Sequence, residues 1–122
     1  MLDTKPTFET VRLTDLEGMA QEERDALDFG VIGLRPDTRA DIYNATEAGM
    51  SGVDPSRVLG APFFSTIGQC MNNFLVAQRF EDEADLDEIV PFVLTLRMRP
   101  TRVRLRLLQA QDVERRYILV ER

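Results

Sequence analysis

The run Thr101-Arg102-Val103-Arg104-Leu105-Arg106-Leu107-Leu108 alternates basic and apolar side chains with a period of two. That period sets Val103, Leu105 and Leu107 on one side of a β-strand and Arg102, Arg104 and Arg106 on the other. A helix would scatter both sets around its circumference. The run therefore predicts a half-buried strand with a solvated basic outer face. Upstream, Ile89 to Met98 is strongly apolar, and Pro91 near its start fits an edge strand or a bulge, since proline has no N–H to donate. Downstream, residues 110 to 114 read as a turn and Tyr117 to Val120 as a last strand. Near the other end, Phe29-Gly30-Val31-Ile32-Gly33-Leu34 reads as a strand against a packed core. Arg35-Pro36-Asp37-Thr38 is a turn, and Arg39 to Tyr43 returns as its partner.

Between these sheet segments the chain is broken into short pieces. Asn44 is placed to cap a helical turn through Glu47. Gly49, Gly52, Pro55, Gly60 and Pro62 interrupt the segment beyond it, and Asp54-Pro55 starts another short helix. Phe74, Leu75, Ala77 and Phe80 predict an amphipathic, longer helix from Asn72 to about Glu83. Before the first strand, Phe8, Val11, Leu13, Leu16, Met19, Ala26 and Leu27 follow a loosely helical spacing, with few large apolar residues and a loop near Gly18. The expectation is one α+β domain. An N-terminal helical cap spans 1–28, and a core spans 29–122 with a five-stranded antiparallel sheet.

Composition narrows the chemistry. With 122 residues, 43% hydrophobic and 30% charged, the chain suffices for a single folded domain. A net charge of -6 gives no general attraction to nucleic acid or anionic lipid. The absence of histidine removes histidine triads and imidazole-held metals. The one cysteine, Cys70, excludes an internal disulfide and a Cys-x-x-Cys pair. No apolar run is long enough to span a membrane, and the first residues do not read as a secretory signal. A free thiol without such a signal leads to the expectation of a cytoplasmic protein.

Four side chains stand out. Tyr43, Glu47 and Ser51 lie four apart, so a helix or a compact set of turns brings a phenol, a carboxyl and a hydroxyl together, able to hold an oxyanion. The same residues equally read as a strand end, a solvated helix position and a turn cap. Cys70, in Ser65-Thr66-Ile67-Gly68-Gln69-Cys70, precedes the expected longer helix, whose N-terminal field favours thiolate. It equally reads as a small core residue. Met71 and Met98 read as packing residues.

These segments, taken in order, resemble the photoactive yellow protein family of PAS-fold blue-light receptors. The resemblance rests on Leu27-Asp28-Phe29-Gly30-Val31-Ile32, on Tyr43-Asn44-Ala45-Thr46-Glu47 with Gly52, Asp54-Pro55, Val58 and Gly60, on Phe63-Phe64 with Cys70, and on Met98, Pro100-Thr101, Val103 and Tyr117 to Arg122. It implies a PAS fold and a 4-hydroxycinnamoyl (p-coumaroyl) chromophore held as a thioester on Cys70. The chromophore phenolate would be hydrogen-bonded by Tyr43 and a protonated Glu47, and Ser51, where the family has threonine, would support the tyrosine. Light isomerises the double bond of such a chromophore, and the glutamic acid then gives up its proton. The implied protein is a sensor and not an enzyme. It would act on a signalling partner protein, as a monomer or weak dimer.

The chain departs from the family at Val53, where an arginine is usual, at Gly68-Gln69, where Ala-Pro is usual, and at Leu94 and Leu96, where aromatic residues are usual. These positions bear on colour, pocket tightness and photocycle rate. Other readings remain open. One is a chromophore-free PAS ligand-binding or dimerisation module. Another is a flavin-binding PAS receptor, faintly suggested by Cys70-Met71-Asn72-Asn73-Phe74-Leu75. A third is a cysteine enzyme, whose only bases would be carboxylates or Lys5.

Overall fold

A computed structural model describes residues 5–95 and 99–122. Two short helices, α1 (Leu13–Gly18) and α2 (Gln21–Asp25), precede a hairpin of β1 (Gly30–Leu34) and β2 (Ala40–Tyr43). Helices α3 (Ala45–Ser51), α4 (Pro55–Val58) and α5 (Ala77–Asp82) come next, with 3-10 turns at Phe63–Ser65 and Gln69–Met71. The chain ends in a meander of β3 (Leu86–Leu94), β4 (Thr101–Ala110) and β5 (Val113–Glu121). All five strands form one sheet in the order β2-β1-β5-β4-β3. Its pairings are antiparallel, and β1 joins the two halves by pairing with β5 from Gly30↔Val120 to Leu34↔Arg116. β3 lies at an edge, where Pro91 is tolerated.

The period-two patterning decides which side chain goes to which face. Ile32, Leu34, Leu105, Leu107, Ile118 and Val120 pack against Phe63, Met71 and Phe80 beneath the helical connection. Val31, Leu108, Tyr117 and Leu119 face the other way, against Phe8, Val11, Leu16, Leu27 and Phe29. The first face is called inner and the second outer. The β1–β2 register slips between Gly33 and Leu34, so that Gly33 pairs with Ile42 while Leu34 pairs with Ala40. This bulge reverses the alternation along β2. Ala40 packs on the inner face, Ile42 packs on the outer one, and Tyr43 returns to the inner face opposite Ile32.

Four expectations are corrected. The helix predicted from Asn72 begins only at Ala77 and has six residues, fewer than the seven of α3. The Asn73 carboxamide oxygen accepts from Leu75 N (3.0 Å) and Val76 N (3.2 Å), and this local turn displaces helical bonding there. The arginine face of β4 is not generally solvated. Arg102 is exposed. Arg106 is buried, donating from Nη1 to Phe8 O (3.0 Å) and Val11 O (2.6 Å) and pairing with Asp87 at 2.8 Å. Arg104 stacks 5.1 Å over the Phe8 ring and reaches Glu9 at 2.9 Å. The N-terminal segment is better packed than its composition suggests, since Phe8, Val11, Leu16 and Leu27 are all buried. The last strand also begins earlier than expected, at Val113. Met98 and Leu96 lie outside the described residues.

Candidate functional site

Asn44 fixes the geometry around Glu47. Its side chain is fully buried, and its Oδ1 accepts from Val31 N (2.9 Å) and from Glu47 N (3.0 Å), so one amide caps α3 and ties it to β1. Its Nδ2 donates to Arg24 O (2.8 Å) and Phe29 O (3.0 Å). Both donors and both lone pairs of this buried amide are thereby used. Glu47 lies in the first turn of α3 and is only 2% exposed.

Tyr43 stands at the end of β2, not on the helix, and reaches the far end of α3. Its hydroxyl lies 2.6 Å from the Ser51 hydroxyl, both buried. Ser51 Oγ also accepts from Val53 N (3.1 Å). Either hydroxyl can donate in this pair; where the serine donates, the tyrosine proton is left for another acceptor. Burial pushes the Tyr43 phenol up to about 12, so it stays a neutral donor at physiological pH.

The Glu47 carboxylate meets a partner that sequence reading missed. Arg122 Nη1 donates to Oε1 at 2.7 Å and Nη2 to Oε2 at 3.1 Å, a two-point clasp on a buried carboxylate. Burial raises the Glu47 carboxyl above the ordinary glutamate range, and the guanidinium opposes that rise. Gly30 forms the other wall: a Cβ there would lie 2.1 Å from Glu47 Oε1, so only glycine admits the carboxyl. The sequence held a signal for Arg122. The inner-face alternation Ile118, Val120 on β5 continues to position 122, and a cation at the end of an apolar series calls for an anion.

Cys70 lies in the 3-10 turn Gln69–Met71, and six residues separate it from the start of α5. The helix-terminus field expected for its thiol is therefore absent. It is half-buried and packs against the same inner core as Tyr43, together with Val53, Ile67 and Ala48. The turn holds because Met71 N donates to Gly68 O (2.9 Å) and Asn73 Nδ2 to Cys70 O (3.1 Å). Gly68, one of the departures from the family pattern, accommodates the Phe63 ring, which a Cβ there would approach to 2.2 Å. The inner face thus gathers a phenol–hydroxyl pair, a buried carboxyl and one thiol. Among the described residues no group of histidine, cysteine, aspartate or glutamate side chains is placed to hold a metal ion.

The strand order, the helical connection over one face and the polar cluster buried beneath it define a PAS-type sensory domain. A PAS domain of an HTR-like protein from Haloarcula marismortui has the same fold, with a TM-score of 0.63, 17% identity, and 90% of this chain and 98% of that one covered. No protein-family model matches the chain. It is 30% identical over 107 residues to photoactive yellow protein of Rhodothalassium salexigens, which covers 85% of this chain and 86% of that protein. Photoactive yellow protein of Halochromatium salexigens is 29% identical over 110 residues, 88% of each chain. The photoactive yellow protein domain of the sensor histidine kinase Ppr from Rhodospirillum centenum superposes with a TM-score of 0.81 at 34% identity, covering 89% of this chain and 98% of that one. The chain belongs to the photoactive yellow protein family. Among the described residues no helix is long and apolar enough to cross a membrane.

Proposed function

We propose that this protein is a blue-light photoreceptor carrying a 4-hydroxycinnamoyl (p-coumaroyl) group as a thioester on Cys70. The observation that carries this reading is the buried cluster of Tyr43, Ser51 and Glu47 beside the core that also contains Cys70. When bound, the group supplies a light-absorbing double bond and a phenolic oxygen able to exchange a proton.

Each residue has its own part. Cys70, half-buried, attacks an activated acyl ester as thiolate; the C–S bond forms and the ester's leaving group departs. Tyr43 keeps its proton and donates a hydrogen bond from Oη to a phenolate oxygen, while Ser51 holds Oη in place. Glu47, raised by burial, is raised further by a neighbouring anion, so its carboxyl remains protonated and donates the second hydrogen bond. After light absorption Glu47 passes that proton to the phenolate and becomes a buried carboxylate. That new charge draws on Arg122, and the rearrangement around the pair loosens the N-terminal cap, residues 1–28, from the core, residues 29–122, of what is a single domain. The output is contact with a signalling partner protein, not catalysis, in the cytoplasm and from a monomer or weak dimer.

The test is to mix the ligand-free protein with an activated ester of p-coumaric acid. The parent is expected to gain the mass of one acyl group and a visible absorption band, and Cys70→Ala to gain neither. Covalent loading of Cys70→Ala, or a parent that takes up nothing, overturns the assignment and leaves a chromophore-free PAS module.

A further inference from the structure

The side chains of Arg122 and Glu47 are 13% and 3% exposed, and they meet through two hydrogen bonds between the end of β5 and the first turn of α3. Surface ion pairs contribute little, but a carboxylate this deeply buried has no water to replace a lost partner. Arg122 stands at a boundary. Its outer side lines a shallow cleft with Asp28, Thr46 and Met50, and its guanidinium faces inward to Glu47. The other ionisable groups around the pair are accounted for. Tyr43 of β2 is neutral below about pH 12. Glu121 is engaged by Arg104 on the outer face. Asp28 lines the same cleft as Arg122.

We propose that Arg122 is the positioning residue of the photocycle's proton donor: a built-in counterion at the end of β5 that takes the Glu47 carboxylate whenever it is ionised. In the ligand-free chain this clasp favours the charged form of Glu47 and holds its carboxyl against Gly30. In the loaded protein it receives Glu47 once the proton has left, and so prolongs the light-activated state. The first effect is independent of any chromophore. The second deepens the photoreceptor reading and rests on it.

Two arms separate these. In ligand-free protein, carbon-13 NMR of the glutamate carboxyls tracks Glu47 through a pH titration, identified by its loss in Glu47→Gln. In Arg122→Gln the Glu47 midpoint should rise by about 1 to 3 pH units, the usual effect of removing an adjacent guanidinium. Arg122→Lys should recover part of the rise, because a point charge restores attraction without the two-point geometry. A purely structural arginine would shift the melting temperature but not this midpoint. An unchanged midpoint in a folded Arg122→Gln protein overturns the proposal. Should that variant not fold, the parent decides. Its Arg122 guanidinium protons should resist exchange and lose protection as Glu47 protonates, and rapid exchange at neutral pH overturns the proposal.

In the second arm, p-coumaroyl-loaded Arg122→Gln should return to the dark state about tenfold faster than the parent, since an uncompensated carboxylate recovers its proton sooner. Equal recovery rates overturn the light-state role. Failure of the parent to load overturns the photoreceptor reading and leaves the first arm standing.

Discussion

The two faces of the sheet solve the same burial problem with different materials. On the inner face, apolar side chains from all five strands close over Phe63, Met71 and Phe80, and the polar groups admitted are those of the candidate site and Gln109, which donates to Phe80 O. On the outer face the N-terminal cap buries Phe8, Val11 and Leu16, but arginines latch it. Arg106 holds two cap carbonyls, Arg104 stacks on Phe8, and Arg115 pairs with Glu17 at 2.6 Å while Tyr117 donates to the same carboxylate at 2.5 Å. An apolar interface is lost only by exposing area to water. A latch of charged hydrogen bonds can exchange its partners for water one at a time, so the two layers are expected to respond differently to substitution.

Substitutions can break this contrast. The largest effect is expected on the inner face. Phe63→Ala removes a ring that is 1% exposed and packs edge-to-face on Phe64 at 5.4 Å, and should cost about 3–5 kcal/mol in chemical denaturation. Amide exchange in the cap, measured on the native state, should remain near the parent's; a cap that opens as much as the inner core would show the two layers to be one cooperative unit. Arg106→Met tests the reverse. It removes the donor from two cap carbonyls and leaves the exposed Asp87 carboxylate to water, should cost about 2 kcal/mol, and should speed exchange in residues 8–27 while leaving β1 protected.

A third test uses pH. The Tyr43 phenol ionises at about 12 in the folded protein against an ordinary value of 10, so the folded state holds its proton longer than the unfolded state. The stability associated with the neutral phenol is therefore complete below pH 10 and is lost as pH rises from 10 to 12, about 2–3 kcal/mol in all. Alkaline denaturation of the parent against Tyr43→Phe should show the difference in that window. Curves that stay parallel up to pH 12 would mean that the phenol is not held in a dry environment.

Much of the fold was legible in the sequence. The alternation through Val103 to Leu107 fixes a strand because only a two-residue period sorts those side chains, and Asn44 and Asp54-Pro55 announce helix starts through local hydrogen bonding. The pairing order was less so, since β1 finds β5 from the far end of the chain. Asn73 illustrates a local competitor that apolar spacing conceals. Its side chain captures two backbone N–H groups that the predicted helix needed.

The residue types at the site, and the family they resemble, were set by the sequence: one thiol, and a phenol, a carboxyl and a hydroxyl four residues apart. Three matters were decided only by tertiary structure. A one-residue slip in the β1–β2 ladder returns Tyr43 to the inner face, where strict alternation from Ala40 would have turned it outward. The arginine stripe of β4, solvated by its pattern alone, became the anchorage of the cap because residues 8–11 fold across it. Arg122 came to rest on Glu47, 75 positions away. In each case the deciding interaction joins groups distant along the chain or turns on how two strands pair. Local periodicity records which face a side chain prefers, but what waits on that face is known only once the sheet has closed.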